Sequence, residues 1–453
     1  MKATLIAILG SIIMPCGLWA QGLEDEQNRN WHQWRGPEGN GVVVQADPPL
    51  NWSESENIRW KVEIPGKGCS TPIVWNDRVF ILTAVPTGKE VAGDDTTPRP
   101  DPARGNDRGG RRSGRRRSSP TVHHQFVVLC LDRLTGRTIW KQIAVESIPH
   151  EGHHRTATFA SCSPITDGRH VYATFGSRGI YCYDMDGKLQ WQRDLGDMRT
   201  RHAFGEGASP ALAGETLIVP WDHEGQSAVF ALDTKMGATR WKVDRDEATT
   251  WSTPLVVDRG GRRQVVMHGS NRVRSYDVTD GRLIWECGGQ VLNPVASPIA
   301  QGDLVYCTTG RRGLAVSAMP LSAKGDITGT KQIAWHRTDF GAYVPSPVIY
   351  KGQLYLTKEC RAILACFNAK TGETIFGPER LLGLRDIYAS LVAVVDRIYI
   401  TDRVGTTLVL QHGTELKVLA TNKLEEGADA SLAIVGKEIL LRGHQHLYCI
   451  AEN

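Results

Sequence analysis

The sequence predicts an all-β protein, an eight-bladed β-propeller, and three observations lead to this prediction. A Ser-Pro or Thr-Pro pair followed by an apolar stretch recurs along most of the chain. An acidic residue, a glycine four positions later and a tryptophan eight positions later follow several of these pairs. The chain of 453 residues contains 47 glycines and 13 tryptophans, a composition typical of many short strands joined by tight turns.

The first marker is a small hydroxyl residue followed by proline, at the start of a predicted strand. From Pro164 onward the copies lie 41 to 49 residues apart, which suits one four-stranded blade per repeat. The last two copies have leucine in place of proline, so seven blades stays an alternative to eight. The eight copies are Thr71-Pro72, Ser163-Pro164, Ser209-Pro210, Thr253-Pro254, Ser297-Pro298, Ser346-Pro347, Ser390-Leu391 and Ser431-Leu432.

The second marker lies between the third and fourth strands, as in Asp233, Gly237 and Trp241. The aspartate side chain bonds its own backbone in a tight turn, and the glycine accepts a positive φ. The tryptophan on the fourth strand offers a large flat surface to the neighbouring blade. We therefore expect six tryptophans to have a structural, blade-docking role: Trp60, Trp140, Trp191, Trp241, Trp285 and Trp335.

The two ends of the repeat region are complementary. Residues 59–62 resemble the fourth strand at residues 240–243, yet they precede the first complete blade. The last repeat, residues 431–450, supplies only three strands. We expect the N-terminal strand to complete the last blade, which closes the ring and removes an exposed sheet edge.

Four of the ten cysteines share one repeat position, two residues before the acidic turn residue or its equivalent: Cys130, Cys182, Cys366 and Cys449. Ala231 and Ser275 occupy this position in other blades, so it favours a small packing residue. Equivalent positions in separate blades are too far apart for a disulfide bond. We expect these four thiols to be free and buried.

The N-terminus resembles a secretory signal peptide, with Lys2 before an apolar run at residues 3–14 and a small residue at Ala20. The predicted location is periplasmic or secreted. An uncleaved membrane anchor and a lipoprotein modified at Cys16 are the alternatives. The predicted divisions are a signal peptide at 1–20, an N-terminal extension at 21–58, and the propeller at 59–452 with an Arg-rich insertion at 86–120.

The insertion at 86–120 carries nine basic against five acidic residues, and its difference of four equals the net charge of the whole chain. Such a segment buries little apolar surface and is expected to be disordered. Its charge suits an anionic polysaccharide, lipid headgroups or nucleic acid, but the remainder of the chain is near neutral and does not favour nucleic acid.

The repeat resembles that of the pyrroloquinoline-quinone (PQQ) dehydrogenases, and the outer-membrane-assembly lipoprotein of the β-barrel assembly machinery uses the same repeat. Two segments near the ends of the chain resemble uncharacterised planctomycete-type PQQ-like propeller proteins. They are Trp-His-Gln-Trp-Arg-Gly-Pro at residues 31–37 and the C-terminal residues 442–449. The resemblance covers residues 31–452 and implies the fold. It does not separate enzymes from scaffolds, because both carry this repeat.

The resemblance to PQQ enzymes implies a pair of adjacent cysteines over the cofactor, and calcium with carboxylate ligands beside it. No two cysteines of this chain are adjacent, and no calcium or catalytic-aspartate motif matches a position here. We therefore expect no cofactor, with PQQ and calcium as the alternative.

Two clusters of polar residues are candidate sites. His150, His153 and His154 form the densest imidazole group and are candidate metal ligands, with a solvated loop as the alternative. A second set, Arg201, His202, Asp222 and His223, is expected to face one end of the ring as a ligand-binding surface.

Together these features predict a non-catalytic, exported, monomeric propeller that binds an envelope protein or a small ligand through loops at one face. The mature chain is expected to have no transmembrane segment and no specific nucleic-acid partner. One alternative is a PQQ-dependent alcohol or sugar oxidoreductase. The other is an envelope or glycan-binding protein that uses the basic insertion.

Overall fold

The computed structural model describes residues 26–90, 120–259 and 261–452. The predicted signal peptide at 1–20 and most of the predicted insertion at 86–120 lie outside these residues. Residues 86–90 belong to a strand that ends at Glu90, and the next strand begins at Val122. No helix within the described part of the chain is long and apolar enough to cross a membrane.

Eight antiparallel sheets form the blades of one ring, which confirms the predicted eight-bladed propeller. The strands of blades 1 to 4 are Ile73–Trp75, Arg78–Glu90, Val122–Asp132 and Thr138–Ser147; Ile165–Thr166, His170–Thr174, Ile180–Asp184 and Leu189–Arg193; Ala211–Ala213, Thr216–Trp221, Ser227–Asp233 and Thr239–Arg245; and Leu255–Arg259, Arg262–His268, Val273–Asp277 and Leu283–Cys287. The strands of blades 5 to 8 are Ile299–Gln301, Leu304–Thr309, Ala315–Pro320 and Trp335–Arg337; Val348–Tyr350, Gln353–Thr357, Ile363–Asn368 and Thr374–Arg380; Val392–Val394, Arg397–Thr401, Thr406–Gln411 and Val418–Lys423; and Ala433–Val435, Glu438–Arg442, His446–Ala451 and Ile58–Glu63.

The remaining elements are short. Val42–Val43 adds a parallel strand to the inner edge of blade 7, and Gly325–Asp326 covers the outer strand of blade 4. Two 3₁₀ turns, Gly176–Arg178 and Arg201–Ala203, lie in the connections within and after blade 2. We call the face that carries the connections between successive blades the upper face, and the opposite face the lower face.

The ring closes as predicted, because the N-terminal strand Ile58–Glu63 pairs antiparallel with His446–Ala451 and completes blade 8. Trp60 lies opposite Cys449 in this pairing. In other blades Cys130 lies opposite Trp140, and Cys182 lies opposite Trp191. The four cysteines of this position are buried and free, as expected, since only a small side chain fits beside the indole of the adjacent strand.

A closed ring of eight hydrogen bonds joins the first strands of all blades. In each blade the Ser or Thr hydroxyl at the start of the first strand accepts the backbone N–H of its counterpart in the preceding blade, at 2.9–3.1 Å. The ring closes where the Ser431 N–H donates to Thr71 Oγ1. The members of this hydroxyl ring are Thr71, Ser163, Ser209, Thr253, Ser297, Ser346, Ser390 and Ser431.

The tryptophans join blades farther from the axis. The indole N–H of Trp191 donates to the backbone carbonyl of Thr234 in the next blade at 2.8 Å, and its ring covers Gly237. Trp60, Trp140, Trp241 and Trp335 make the equivalent bond at 2.8–2.9 Å. The glycine of the turn marker therefore serves two purposes, because it takes a positive φ and leaves room for the indole of the preceding blade.

Trp285 reaches the next blade indirectly. Its indole N–H donates to Gln264 Oε1 at 3.3 Å, and Gln264 Nε2 donates to the backbone carbonyl of Leu321 at 3.1 Å. Leu321 holds the position in blade 5 that Thr234 holds in blade 3, directly after the last residue of the third strand. The glutamine thus relays the same blade-to-blade connection.

A central channel runs along the axis of the ring. Its lower end is spanned by residues 31–46, which we call the N-terminal segment. The Trp31 carbonyl accepts the Val74 N–H in blade 1, and the Gly41 carbonyl accepts the Ala393 N–H in blade 7. Arg35, which is 1% exposed, donates to the backbone carbonyls of Pro347 and Leu391 in blades 6 and 7. The His32 carbonyl accepts the Thr166 N–H in blade 2, which lies opposite blade 6, so the segment crosses the channel and closes the lower mouth.

The hydroxyl ring predicts a specific effect of substitution at Ser390. Replacing Ser390 with alanine leaves the buried Ser346 N–H without an acceptor, which costs about 1–3 kcal/mol of unfolding free energy. Ser390→Thr keeps the acceptor, since threonine stands at two other positions of the ring, and is expected to remain near the parent. Equilibrium denaturation of the three proteins measures the difference, and equal losses for alanine and threonine would contradict a role for the hydroxyl.

The indole contact makes a separate prediction at Gly237. A Cβ at Gly237 would lie 2.6 Å from the Trp191 ring, at a φ of +67°. Gly352 has a similar φ of +79° with nothing within 4 Å, so Gly352→Ala isolates the backbone cost, about 1–2 kcal/mol. Gly237→Ala is expected to lose about 1–3 kcal/mol more than this control, measured by thermal or chemical unfolding. Equal losses would show that the indole contact adds nothing.

Candidate functional site

The upper mouth of the channel opens into a central cavity of about 400 Å³, a volume within the range of small-molecule sites. Six members of the hydroxyl ring line it: Thr71, Ser163, Ser209, Thr253, Ser390 and Ser431. Trp34 of the N-terminal segment also lines the cavity. Among the described residues the N-terminal segment closes the lower mouth, so the cavity opens at the upper face.

The wall of the cavity has a simple origin in the repeat. In every blade the residue two positions before the ring hydroxyl lines the cavity, and its type varies freely from blade to blade. These eight residues are Cys69, Ser161, Gly207, Trp251, Val295, Val344, Tyr388 and Asp429. The repeat position that builds the hydroxyl ring is therefore always Ser or Thr. The position two residues earlier, which lies nearer the upper face, differs from blade to blade and shapes the cavity.

Five aromatic side chains contribute to the apolar surface of the cavity. Trp34, Trp251, Tyr343 and Tyr388 line the cavity together with Phe204. The Trp251 indole N–H donates to the Gly205 carbonyl at 2.7 Å, which fixes that ring against the connection between blades 2 and 3. Such a wall suits a ligand with a flat face.

Two arginines give the rim its charge. Arg311 and Arg312 follow the second strand of blade 5, are exposed, and line the cavity. Within the described part of the chain neither arginine forms an ion pair, and the Arg311 guanidinium lies 5.7 Å from the centre of the Tyr343 ring. Unpaired guanidinium groups beside a cavity favour binding of an anion.

The acidic side chains of the wall do not offset this charge. Asp429 accepts from Arg403 at 2.5 and 3.1 Å, and its Oδ2 lies 3.3 Å from His444 Nε2. Burial alone would raise the pKa of Asp429, but the hydrogen bonds from His444 and Arg403 outweigh it and hold the pKa below its ordinary value. Asp429 is therefore a carboxylate whose charge is already offset by the Arg403 guanidinium.

Glu206 is the second acidic residue of the wall. Both of its carboxyl oxygens accept from Ser177, one from the backbone N–H at 2.8 Å and one from the hydroxyl. Burial, with a smaller contribution from the nearby Glu151, raises the pKa of Glu206 to about 7 against the opposing effect of the Ser177 hydrogen bonds. Near neutral pH this carboxyl group is partly protonated, so the cavity is positively charged overall.

The three histidines of the predicted metal site have different neighbours. His154 lines the cavity and its Nδ1 lies 2.7 Å from Thr156 Oγ1, whereas His153 packs its ring edge against Phe159. His150 pairs with Asp197 at 3.2 Å. Within residues 26–90, 120–259 and 261–452, no three His, Cys, Asp or Glu side chains are grouped so that they could hold a metal ion. The metal site stays a prediction.

The predicted ligand residues divide into two pairs. His202 lines the cavity with a φ of +55°, and Arg201 Nη1 lies beside it, 3.3 Å from the amide oxygen of Asn293. Asp222 instead forms a buried ion pair with Arg245 at 2.8 Å. His223 is buried, with its Nδ1 accepting the Arg199 N–H at 3.0 Å.

Several cavity residues escaped the sequence analysis, namely Trp34, Glu206, Arg311, Arg312, Tyr343, Tyr388 and Asp429. For Tyr388 and Asp429 a signal was available, because both stand two residues before a ring hydroxyl. Arg311 and Arg312 lie between strands and carry no repeat signal of their own.

Comparisons with solved structures agree on the fold. BamB from Moraxella catarrhalis is similar with a TM-score of 0.53 and 14% identity, covering 71% of this chain and 91% of that one. Quinohemoprotein alcohol dehydrogenase from Comamonas testosteroni has a TM-score of 0.62 and 9% identity, covering 96% and 82%. A europium-containing methanol dehydrogenase has a TM-score of 0.57 and 10% identity, covering 94% and 92%.

No curated protein sequence matches the chain. A family model described as outer membrane protein assembly factor BamB matches residues 124–377, more than half of the chain. With the eight-bladed ring and the repeat markers, this match assigns the chain to the family described as outer membrane protein assembly factor BamB, a family of PQQ-type propellers.

Proposed function

We propose that the protein is an exported binding propeller that takes a small organic anion into its central cavity. The observation that carries the proposal is the pair of unpaired arginines, Arg311 and Arg312, over a cavity closed below by Trp34. The arginines would hold an anionic group, and the aromatic wall would hold a flat face of the ligand. A role in the cell envelope is supported by the family description.

A rigid binding site also follows from how the cavity is built. Its lower wall consists of hydroxyl-ring residues whose backbone and side chains are both hydrogen-bonded. Groups held in this way lose little conformational freedom when a ligand binds, which favours affinity.

A PQQ-dependent oxidoreductase is the second candidate, because the aromatic and basic wall also suits a flat quinone bearing carboxylates. The calcium ion fits less well. Both carboxyl oxygens of Glu206 are bound to Ser177, and Asp429 is paired with Arg403 and His444, so a metal ion would have to displace these contacts.

Calorimetric titration of the purified chain tests the proposal with glucuronate and glucose, which differ in one carboxylate, and with PQQ. We expect glucuronate or PQQ to bind and glucose to bind at least tenfold more weakly. The double substitution Arg311→Gln and Arg312→Gln should weaken anion binding about tenfold or more, equivalent to about 1.4 kcal/mol.

The matched control is Arg282→Gln, which removes an exposed arginine from a turn on the lower face and should leave binding unchanged. Equal binding of glucose and glucuronate, or an unaffected double variant, would contradict the anion site. PQQ binding that requires calcium would favour the oxidoreductase.

A further inference from the structure

Glu206 stands where three cavities meet. It lines the central cavity and also two small cavities, of about 30 and 20 Å³, all three of which Gly205 lines as well. Each small cavity has room for about one water molecule and polar groups to bind it. A buried carboxyl group flanked by water-sized spaces is in a position to exchange protons.

One of the small cavities leads towards solvent. His150, Glu151 and Arg178 line it together with Glu206. His150 pairs with Asp197, whose side chain is 46% exposed, so the outer end of this route lies at the surface. A proton can therefore reach Glu206 without passing through the central cavity.

The charged groups facing Glu206 leave its carboxylate weakly stabilised. Its hydrogen bonds come from Ser177, whose hydroxyl oxygen also accepts the Met198 N–H at 2.7 Å. Glu151 repels a negative charge at Glu206, while Arg178 attracts it, although that guanidinium also pairs with Asp197 and bonds the Ile148 carbonyl. No ion pair joins Glu206 to a cation within the described residues.

We infer that an anion entering the central cavity is accompanied by uptake of one proton from solvent at the Glu206 carboxylate. The inference rests on the proposed anion site. A bound anion adds a like charge beside a buried carboxylate, and such a charge favours the protonated form. Once protonated, Glu206 can donate a hydrogen bond instead of only accepting.

Calorimetry of glucuronate and PQQ binding measures the proton uptake when it is repeated, at each pH, in phosphate-free buffers that differ in ionisation enthalpy. We expect uptake approaching one proton at pH 8 and little at pH 5.5. Since the ligand-free carboxyl group titrates near pH 7, the affinity of the parent should fall by up to about tenfold per pH unit above that value.

Glu206→Gln should abolish the uptake and make the affinity independent of pH in this range. Glu151→Gln is the matched control, because it removes the neighbouring carboxylate but should keep the uptake with a lower midpoint. Binding without uptake, or uptake that persists in Glu206→Gln, would overturn this inference and leave the anion site intact. Absence of binding by both probes at every pH would instead overturn the proposed function.

Ligand-free thermal unfolding shows whether the variant is folded and whether Glu206 titrates. Burial raises the pKa of Glu206 from 4.5 in the unfolded chain to about 7, so its contribution to stability is complete below pH 4.5 and lost as the pH rises to 7. Relative to Glu206→Gln, the parent should therefore lose thermal stability across this interval. A constant difference between the two would show that Glu206 does not titrate there and would overturn the inference.

Discussion

The closed ring of Ser and Thr hydroxyls is the constraint on which the rest of the molecule depends. Each hydroxyl accepts the backbone N–H of its counterpart in the preceding blade, and the last bond returns to Thr71. Without the eighth bond, the first strands would be joined in an open arc. The eighth bond closes this arc into a ring and so sets the distance and angle between all neighbouring blades. The tryptophans then secure the same interfaces farther out, mostly against a carbonyl and a glycine of the next blade.

The cavity follows from this ring. Because the ring fixes where every first strand begins, the residue two positions earlier always projects at the channel mouth, whatever its type. The segment that closes the lower mouth is also positioned by residues next to the hydroxyl ring. Arg35 bonds the carbonyls of Pro347 and Leu391, the residues directly after two ring hydroxyls, and so holds the segment that carries Trp34. One repeated interaction thereby places both the wall and the base of the cavity.

The fold was predictable because its determinants are local and repeated. Ser390 and Ser431 carry the hydroxyl although leucine stands in place of the proline that follows it in the other blades. The hydroxyl is present in every blade because it accepts a hydrogen bond from the preceding blade. The small residue opposite each tryptophan was also predictable, although its cause, the pairing of Cys182 with Trp191, required the structure.

The site was only partly predictable, because its residues meet through the ring and not through nearness in sequence. His154 and His202 were identified and do line the cavity. Asp222 was identified with them, yet it forms a buried ion pair with Arg245 instead. Arg311 and Arg312 come from an irregular connection, and Trp34 precedes the first blade, so no repeat pattern pointed to them.

A crystal structure of the protein grown with glucuronate or PQQ tests the central cavity as the binding site most directly. We expect the ligand in the central cavity, with its anionic group at Arg311 and Arg312 and its flat face against the aromatic wall above Trp34. A ligand bound on the outer surface, with the central cavity holding only water, would contradict it.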